Sequence, residues 1–89
     1  MKSYLIGCDL NRPGKSYPEL LAAFEHFPLH WHHLESVWIV NSDWTVRQVR
    51  DHLKPHIDST DKLLVVELTG EGAWAGFNDD AISWLSEHL

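Results

Sequence analysis

Asp9 is the residue of this chain whose type and position best suit chemistry, because it closes a short apolar run that we expect to be a strand. A carboxylate is a ligand that hard divalent cations such as Mg²⁺ and Mn²⁺ accept. If two copies of the chain meet around this strand, two Asp9 side chains can share one cation and support hydrolysis. The alternative is that Asp9 only caps the turn before Asn11. Asp9 is therefore our candidate catalytic and metal-binding residue.

Four basic residues are candidates for contact with nucleic acid or another anion. Arg12 and Lys15 stand just before the first predicted helix, where backbone N–H groups also favour anions. Arg47 and Arg50 fall on one side of the second predicted helix, three residues apart. The alternative for this second pair is an ordinary solvated helix face.

Histidine and cysteine offer two further kinds of chemistry. His30 and His32 fall on one side of a predicted strand, and His52 and His56 are one helical turn apart, a spacing of paired metal ligands. No further residue completes either pair at a recognisable spacing, so we expect solvated or hydrogen-bonded histidines. Cys8 is predicted to face the core, where a thiol is inert.

Composition limits the classes of protein to which the chain can belong. Its 89 residues, 44% of them apolar, predict one domain over residues 1–89. Thirteen acidic against seven basic residues give a net charge of −6, which disfavours non-specific nucleic-acid binding. We expect neither a membrane span nor a signal peptide, and one cysteine can form no disulfide within the chain. These features predict a cytoplasmic protein.

Hydrophobic periodicity and breakers predict four strands and three helices. Pro18 suits the first turn of the first helix, although Ser16 and Glu19 also fit a capping box. Thr45 and Gln48 fit a second capping box, and Pro55 should end the second helix near residue 54. We predict strands over 3–10, 30–34, 36–40 and 62–68, and helices over 16–27, 45–54 and from 78 onward.

This βαββαβ order with a short C-terminal helix predicts an α+β, ferredoxin-like fold. The four strands then form an antiparallel sheet with the first two helices on one face, and strands one and three are central. The other face is open. Asp9 ends a central strand on that open face.

The open face predicts an interface. On the last strand, Leu64 and Val66 suit the helix side, so Leu63 and Val65 should face outward. With Leu5 and Trp38, these two residues form our predicted homodimer interface: so much apolar surface exceeds what a monomer usually exposes. The alternative is that the C-terminal helix folds back over this face.

Several segments of the chain resemble one known group. They are the strand ending in Cys8-Asp9-Leu10, the segment Ser36-Val37-Trp38-Ile39-Val40, the second helix and the strand 63–68. Together they resemble the CRISPR-associated protein 2 superfamily, which also takes in the virulence-associated protein D toxins. A closer resemblance is to short bacterial proteins labelled "SinR family", through Asp9-Leu10, Gly14-Lys15-Ser16-Tyr17-Pro18-Glu19-Leu20, Trp31 and Ser36-Val37-Trp38.

The resemblance covers residues 2–70 and implies a ferredoxin-like homodimer. In enzymatically active relatives the aspartate that ends the first strand helps to bind a divalent metal for phosphodiester cleavage, and Asp9 is the matching position. The chain departs from that pattern in its acidic charge. It also ends in a helix where the CRISPR proteins add an exchanged strand.

Three functional classes follow from these observations. The first is a non-catalytic binding or assembly module built on a homodimer, which the acidic surface favours. The alternative is a divalent-metal-dependent endoribonuclease or other nuclease, toxin-like, using Asp9 at the dimer axis with Mg²⁺ or Mn²⁺. The third is a small-molecule or metal-binding protein that uses the histidines.

Overall fold

The structure, a computed structural model, describes residues 1–10 and 17–89. Its elements follow the predicted βαββαβ order with a C-terminal helix, and a 3₁₀ turn over Lys54–His56 extends the second helix. The strands are β1 (Lys2–Asp9), β2 (Leu29–Leu34), β3 (Val37–Ser42) and β4 (Lys62–Glu67). The helices are α1 (Pro18–Glu25), α2 (Val46–Leu53) and α3 (Asp79–His88).

The four strands form one antiparallel sheet in the order β2-β3-β1-β4. This order confirms the ferredoxin-like α+β fold and the central position of β1 and β3. A turn at Glu35 and Ser36 joins β2 to β3, and the register shifts between Trp31 and Leu34, a β-bulge. No helix in residues 1–10 and 17–89 is long and apolar enough to cross a membrane, and the cytoplasmic location stays a prediction.

Local sequence signals explain where the helices begin and end. Pro18 occupies the first turn of α1, where its missing N–H costs nothing. Thr45 and Gln48 form the predicted capping box: the Gln48 N–H donates to Thr45 Oγ1 at 3.2 Å, and the Thr45 N–H donates to Gln48 Oε1 at 2.9 Å. α2 ends before Pro55, as predicted. Ser16, the other candidate cap, lies outside the described residues.

The main hydrophobic core lies between the sheet and the helices α1 and α2. Tyr4 and Ile6 of β1 are fully buried in it, and so are Val49 and Leu53 of α2. Val46, the first residue of α2, is exposed instead. The remaining buried members are Leu20, Ala23, Phe24, Phe27, Trp38 and Val40.

The predicted side of β4 is wrong. Leu63 and Val65 pack against the main core, whereas Leu64 and Val66 face the other way and are 59% and 39% exposed. The antiparallel register explains this, because it opposes Val65 to Ile6, and directly opposed side chains share one face of a sheet. Leu63 and Val65 therefore cannot form an interface on the open face.

Trp38 is also on the helix side rather than the open face. It stands opposite Ile6 in the register of β1 and β3 and is only 8% exposed. Its place in the predicted open-face interface is therefore wrong for the same reason. Leu5 does face the open side, where it is half-buried.

The C-terminal segment folds back over part of the open face, the alternative that the sequence left open. Ala81 and Leu85 of α3 pack on Trp31 of β2 and Ile39 of β3, and residues 68–77 add partly buried apolar side chains. Trp31 Nε1 donates a hydrogen bond to the Ala81 carbonyl at 3.3 Å. β4 is left outside this cover, because Leu64 and Val66 stay exposed.

A small polar network fixes the end of α3 to the sheet. The hydroxyl of Ser3 and the amide Nδ2 of Asn41 both donate to the carbonyl of His88. Asn41 Nδ2 also lies 2.6 Å from Ser3 Oγ, and Asn41 is only 4% exposed. Asn41 Oδ1 is buried, and no described residue gives it a hydrogen bond.

Candidate functional site

Asp9 lies at the end of β1, exposed to solvent and opposite Lys62 of β4. By strand alternation its side chain belongs to the open side of the sheet, as predicted. There it borders a shallow hollow of about 370 Å³ together with Gly7, Val37 and Leu64. A ligand of Asp9 can reach it from solvent.

Glu35, which was not predicted from the sequence, shares a hollow with Asp9. Asp9 and Glu35 both border a second hollow of about 260 Å³ at the end of β1, beside the turn that joins β2 to β3. The Cys8 N–H donates to the Ser36 carbonyl at 3.0 Å, which continues the β1–β3 ladder to this turn. The position of Glu35 could have been predicted from the antiparallel pairing of the first and third strands, because that pairing brings residue 35 alongside residue 9.

The described residues offer Asp9 no cluster of three metal-binding side chains. Among residues 1–10 and 17–89, no group of three or more His, Cys, Asp or Glu side chains could hold a metal ion. The predicted role of Asp9 stays a prediction.

Cys8 borders the same two hollows but is unsuited to nucleophilic chemistry. Its burial raises the pKa of the thiol to about 11, and the negative charge of Asp61 adds to the effect. The thiolate is the reactive form, and it is scarce at neutral pH when the pKa is that high.

The histidines make structural contacts in the described part of the chain. His52 Nε2 donates to the Ala23 carbonyl at 3.0 Å, which ties α2 to α1. The ring centroids of His52 and His56 are 6.4 Å apart. On β2, His30 and His32 lie on one side, as expected, with their rings 6.1 and 3.9 Å from that of Trp38.

Arg47 and Arg50 lie on α2 beside β4. Both are exposed, and both border a groove of about 220 Å³ that Leu63, Leu64 and Val65 close from the other side. Arg50 is paired with its neighbour Asp51, since Nη2 is 2.9 Å from Oδ1. The other two predicted anion contacts, Arg12 and Lys15, lie outside the described residues.

The outer edge of β4 carries exposed apolar side chains. β4 is an edge strand, so only one side of it pairs, with β1. We call its two exposed apolar residues, Leu64 and Val66, the β4 strip. The strip joins the hollow beside Asp9 to the groove beside Arg47, because Leu64 borders both.

No family model, no curated protein and no solved structure matches the chain. The functional argument therefore depends on the geometry of the β4 strip and of Asp9.

Proposed function

We propose that this chain is a non-catalytic binding or assembly module that acts as a homodimer. The observation that carries the proposal is the β4 strip, two neighbouring apolar side chains exposed at an unpaired sheet edge. Single exposed apolar residues are common on proteins, but an uncovered apolar edge strand can pair with a strand of another chain.

The charge and chemistry of the chain support a binding role over a catalytic one. The net charge of −6 opposes a nucleic-acid substrate. The thiol of Cys8 has a pKa raised to about 11 and is a poor nucleophile at neutral pH. Neither property favours catalysis on a nucleic acid, whereas the exposed β4 strip favours contact with a protein partner.

The test is the molar mass in solution, measured by light scattering over a range of concentrations. We expect the wild-type mass to approach that of two chains and Leu64→Glu to have the mass of one. Leu21→Glu is the matched control, because Leu21 is 48% exposed on α1, on the other side of the sheet. A wild-type mass of one chain at all concentrations would refute the dimer.

A metal-dependent nuclease, possibly toxin-like, is the second candidate, and the meeting of Asp9 and Glu35 at one hollow favours it. Two carboxylates can together hold a hard divalent cation. The resemblance to the CRISPR-associated protein 2 superfamily adds support at Asp9. The test is cleavage of RNA or DNA with Mg²⁺ or Mn²⁺ by the wild type, lost in Asp9→Asn. No cleavage by the wild type would remove this candidate.

A further inference from the structure

We propose that the second copy joins the sheet edge to edge, with the two β4 strands antiparallel and Leu64 opposite Val66 of the other copy. The inference rests on the proposed homodimer and specifies where and how the partner binds. It joins the two four-stranded sheets into one continuous sheet. This geometry differs from face-to-face packing of the open faces.

The hydrogen bonds between β4 and β1 show which backbone groups of β4 point to its outer edge. The Leu68 N–H donates to the Ser3 carbonyl at 2.8 Å, so the residues that bond to β1 are Leu68 and, alternately, Val66 and Leu64. The N–H and C=O groups of Leu63, Val65 and Glu67 must then point away from β1. No strand of the described chain lies on that side.

β4 lacks the features that usually block pairing at a sheet edge. Such edges carry a proline, a bulge or a charge in mid-strand. The sequence of β4 is Lys-Leu-Leu-Val-Val-Glu, with its charges only at the ends. Its register against β1 runs without interruption. The edge is therefore competent to accept another strand.

The register follows from two requirements. Residues whose backbone groups point outward must pair with one another, and paired side chains must share a face. A two-fold axis through Val65 meets both, because it opposes Leu64 to Val66 and Leu63 to Glu67. Leu64 of each copy then packs against Val66 of the other in a non-hydrogen-bonded pair, the type in which opposed side chains are closer together. A shift of two residues in one direction opposes Val66 to Lys62, and in the other direction it opposes Leu64 to Leu68, which lies beyond β4 and packs on the cluster under α3. Only the axis through Val65 opposes the two strips to each other at both positions.

Charge complementarity supports the same register. Arg47 makes no ion pair with any residue in 1–10 or 17–89, and it borders the groove beside Leu63. In the proposed pairing, Glu67 of the second copy stands opposite Leu63, on the side of the sheet where Tyr4 and α2 lie. It therefore brings a carboxylate to the groove that Arg47 and Arg50 border.

The C-terminal segment that covers part of the open face argues against face-to-face packing of two sheets. α3 and residues 68–77 stand over β2 and β3, so a second sheet approaching that face would meet them first. The edge of β4 has no such obstacle, since Leu64 is 59% exposed. The edge is the accessible part of the apolar surface.

Disulfide trapping tests the register separately from the dimer. Leu64→Cys and Val66→Cys are made as single variants, mixed, and oxidised in a glutathione buffer. In the proposed register residue 64 of one copy stands opposite residue 66 of the other, and the Cα atoms of such a non-hydrogen-bonded pair are about 4.5 Å apart, within disulfide range. Two copies of the same variant would place their cysteines diagonally, about 7–8 Å apart, which is too far. We expect the mixture to give at least about fivefold more linked dimer than either variant alone. The wild type, with only Cys8, is the background control.

Amide hydrogen exchange provides the second measurement. We expect the amides of Leu63, Val65 and Glu67 to be protected in the wild type and exposed in Leu64→Glu. A dimeric mass with no preference for the mixture and no protection of these amides would overturn the register and leave the homodimer standing. A wild-type mass of one chain would overturn both.

Discussion

The indole ring of Trp38 and the phenyl ring of Phe24 are stacked, with centroids 4.2 Å apart and planes only 2° from parallel. His32 adds a second nearly parallel ring, its centroid 3.9 Å from that of Trp38. The stack joins β3 to α1 on one side and to β2 on the other. Trp38 is therefore a packing residue of the main core.

Replacing Trp38 with alanine should destabilise the fold by about 3–5 kcal/mol, as expected for a large buried aromatic side chain. Urea denaturation followed by circular dichroism measures the free energy of unfolding. Trp84→Ala is the control, because Trp84 is only partly buried on α3 and should cost less. A loss under about 1 kcal/mol for Trp38→Ala would contradict its burial.

The Cys8 thiol should react slowly with iodoacetamide until the pH is high. The pKa of Cys8 is raised to about 11 in the folded chain, against an ordinary value of 9.0. We expect the midpoint of the pH–rate profile to fall by about two units when the chain is unfolded in urea. Mass spectrometry of the Cys8 peptide measures the rate. A folded-state midpoint near the ordinary value would show that the thiol is not buried.

The same shift predicts how stability depends on alkaline pH. Because the folded pKa of Cys8 is raised to about 11 from 9.0, its contribution to stability is fully present below pH 9 and is lost as pH rises towards 11. Cys8→Ala should lose less stability across this range than the wild type does. Parallel slopes for the two proteins in urea denaturation would contradict the shift.

Asn41→Asp should destabilise the docking of α3, and acid should relieve the defect. The change replaces the Nδ2 donor to the His88 carbonyl with a buried carboxylate. Burial would raise the pKa of the new carboxyl, so the penalty should appear as pH rises through that pKa. We expect a loss of about 1–3 kcal/mol near neutral pH and a smaller one near pH 4. Asn41→Ala is the control, whose loss should not vary with pH.

The nuclease candidate predicts a metal response that depends on Asp9. Mg²⁺ or Mn²⁺ should raise the Tm of the wild type, because a ligand that binds the folded state stabilises it. Asp9→Asn should abolish the rise, and Glu35→Gln should reduce it. If Asp9 is only a turn cap, metal should have no effect and Asp9→Asn should cost about 1 kcal/mol or less. Thermal scans with and without metal separate the two cases.

Periodicity and breakers were sufficient to predict the order of the elements. The capping box of Thr45 with Gln48 and the end of α2 before Pro55 are both local signals, and the structure confirms both. The number and order of elements then leave few topologies, which is why the ferredoxin-like sheet could be predicted.

The face of β4 could not be predicted, because Leu63, Leu64, Val65 and Val66 are apolar on both sides of the strand. With no polar alternation, only the register against β1 decides which residues face the helices. Glu35 was missed for a related reason, since its approach to Asp9 depends on pairing between β1 and β3. Both features depend on contacts between distant parts of the chain.

The polar network that fixes His88 to Ser3 and Asn41 has a consequence for folding. The hydrogen bond from Ser3 to His88 spans 85 residues of sequence, yet the paired sheet already holds Ser3 beside the end of β4. The loop that closes when α3 docks therefore runs only from Leu68 to His88, so its closure entropy is smaller than that of a loop from Ser3 to His88. The clusters on the two sheet faces are separate. α3 can therefore detach and redock as its own cooperative unit while the sheet and its two other helices stay folded.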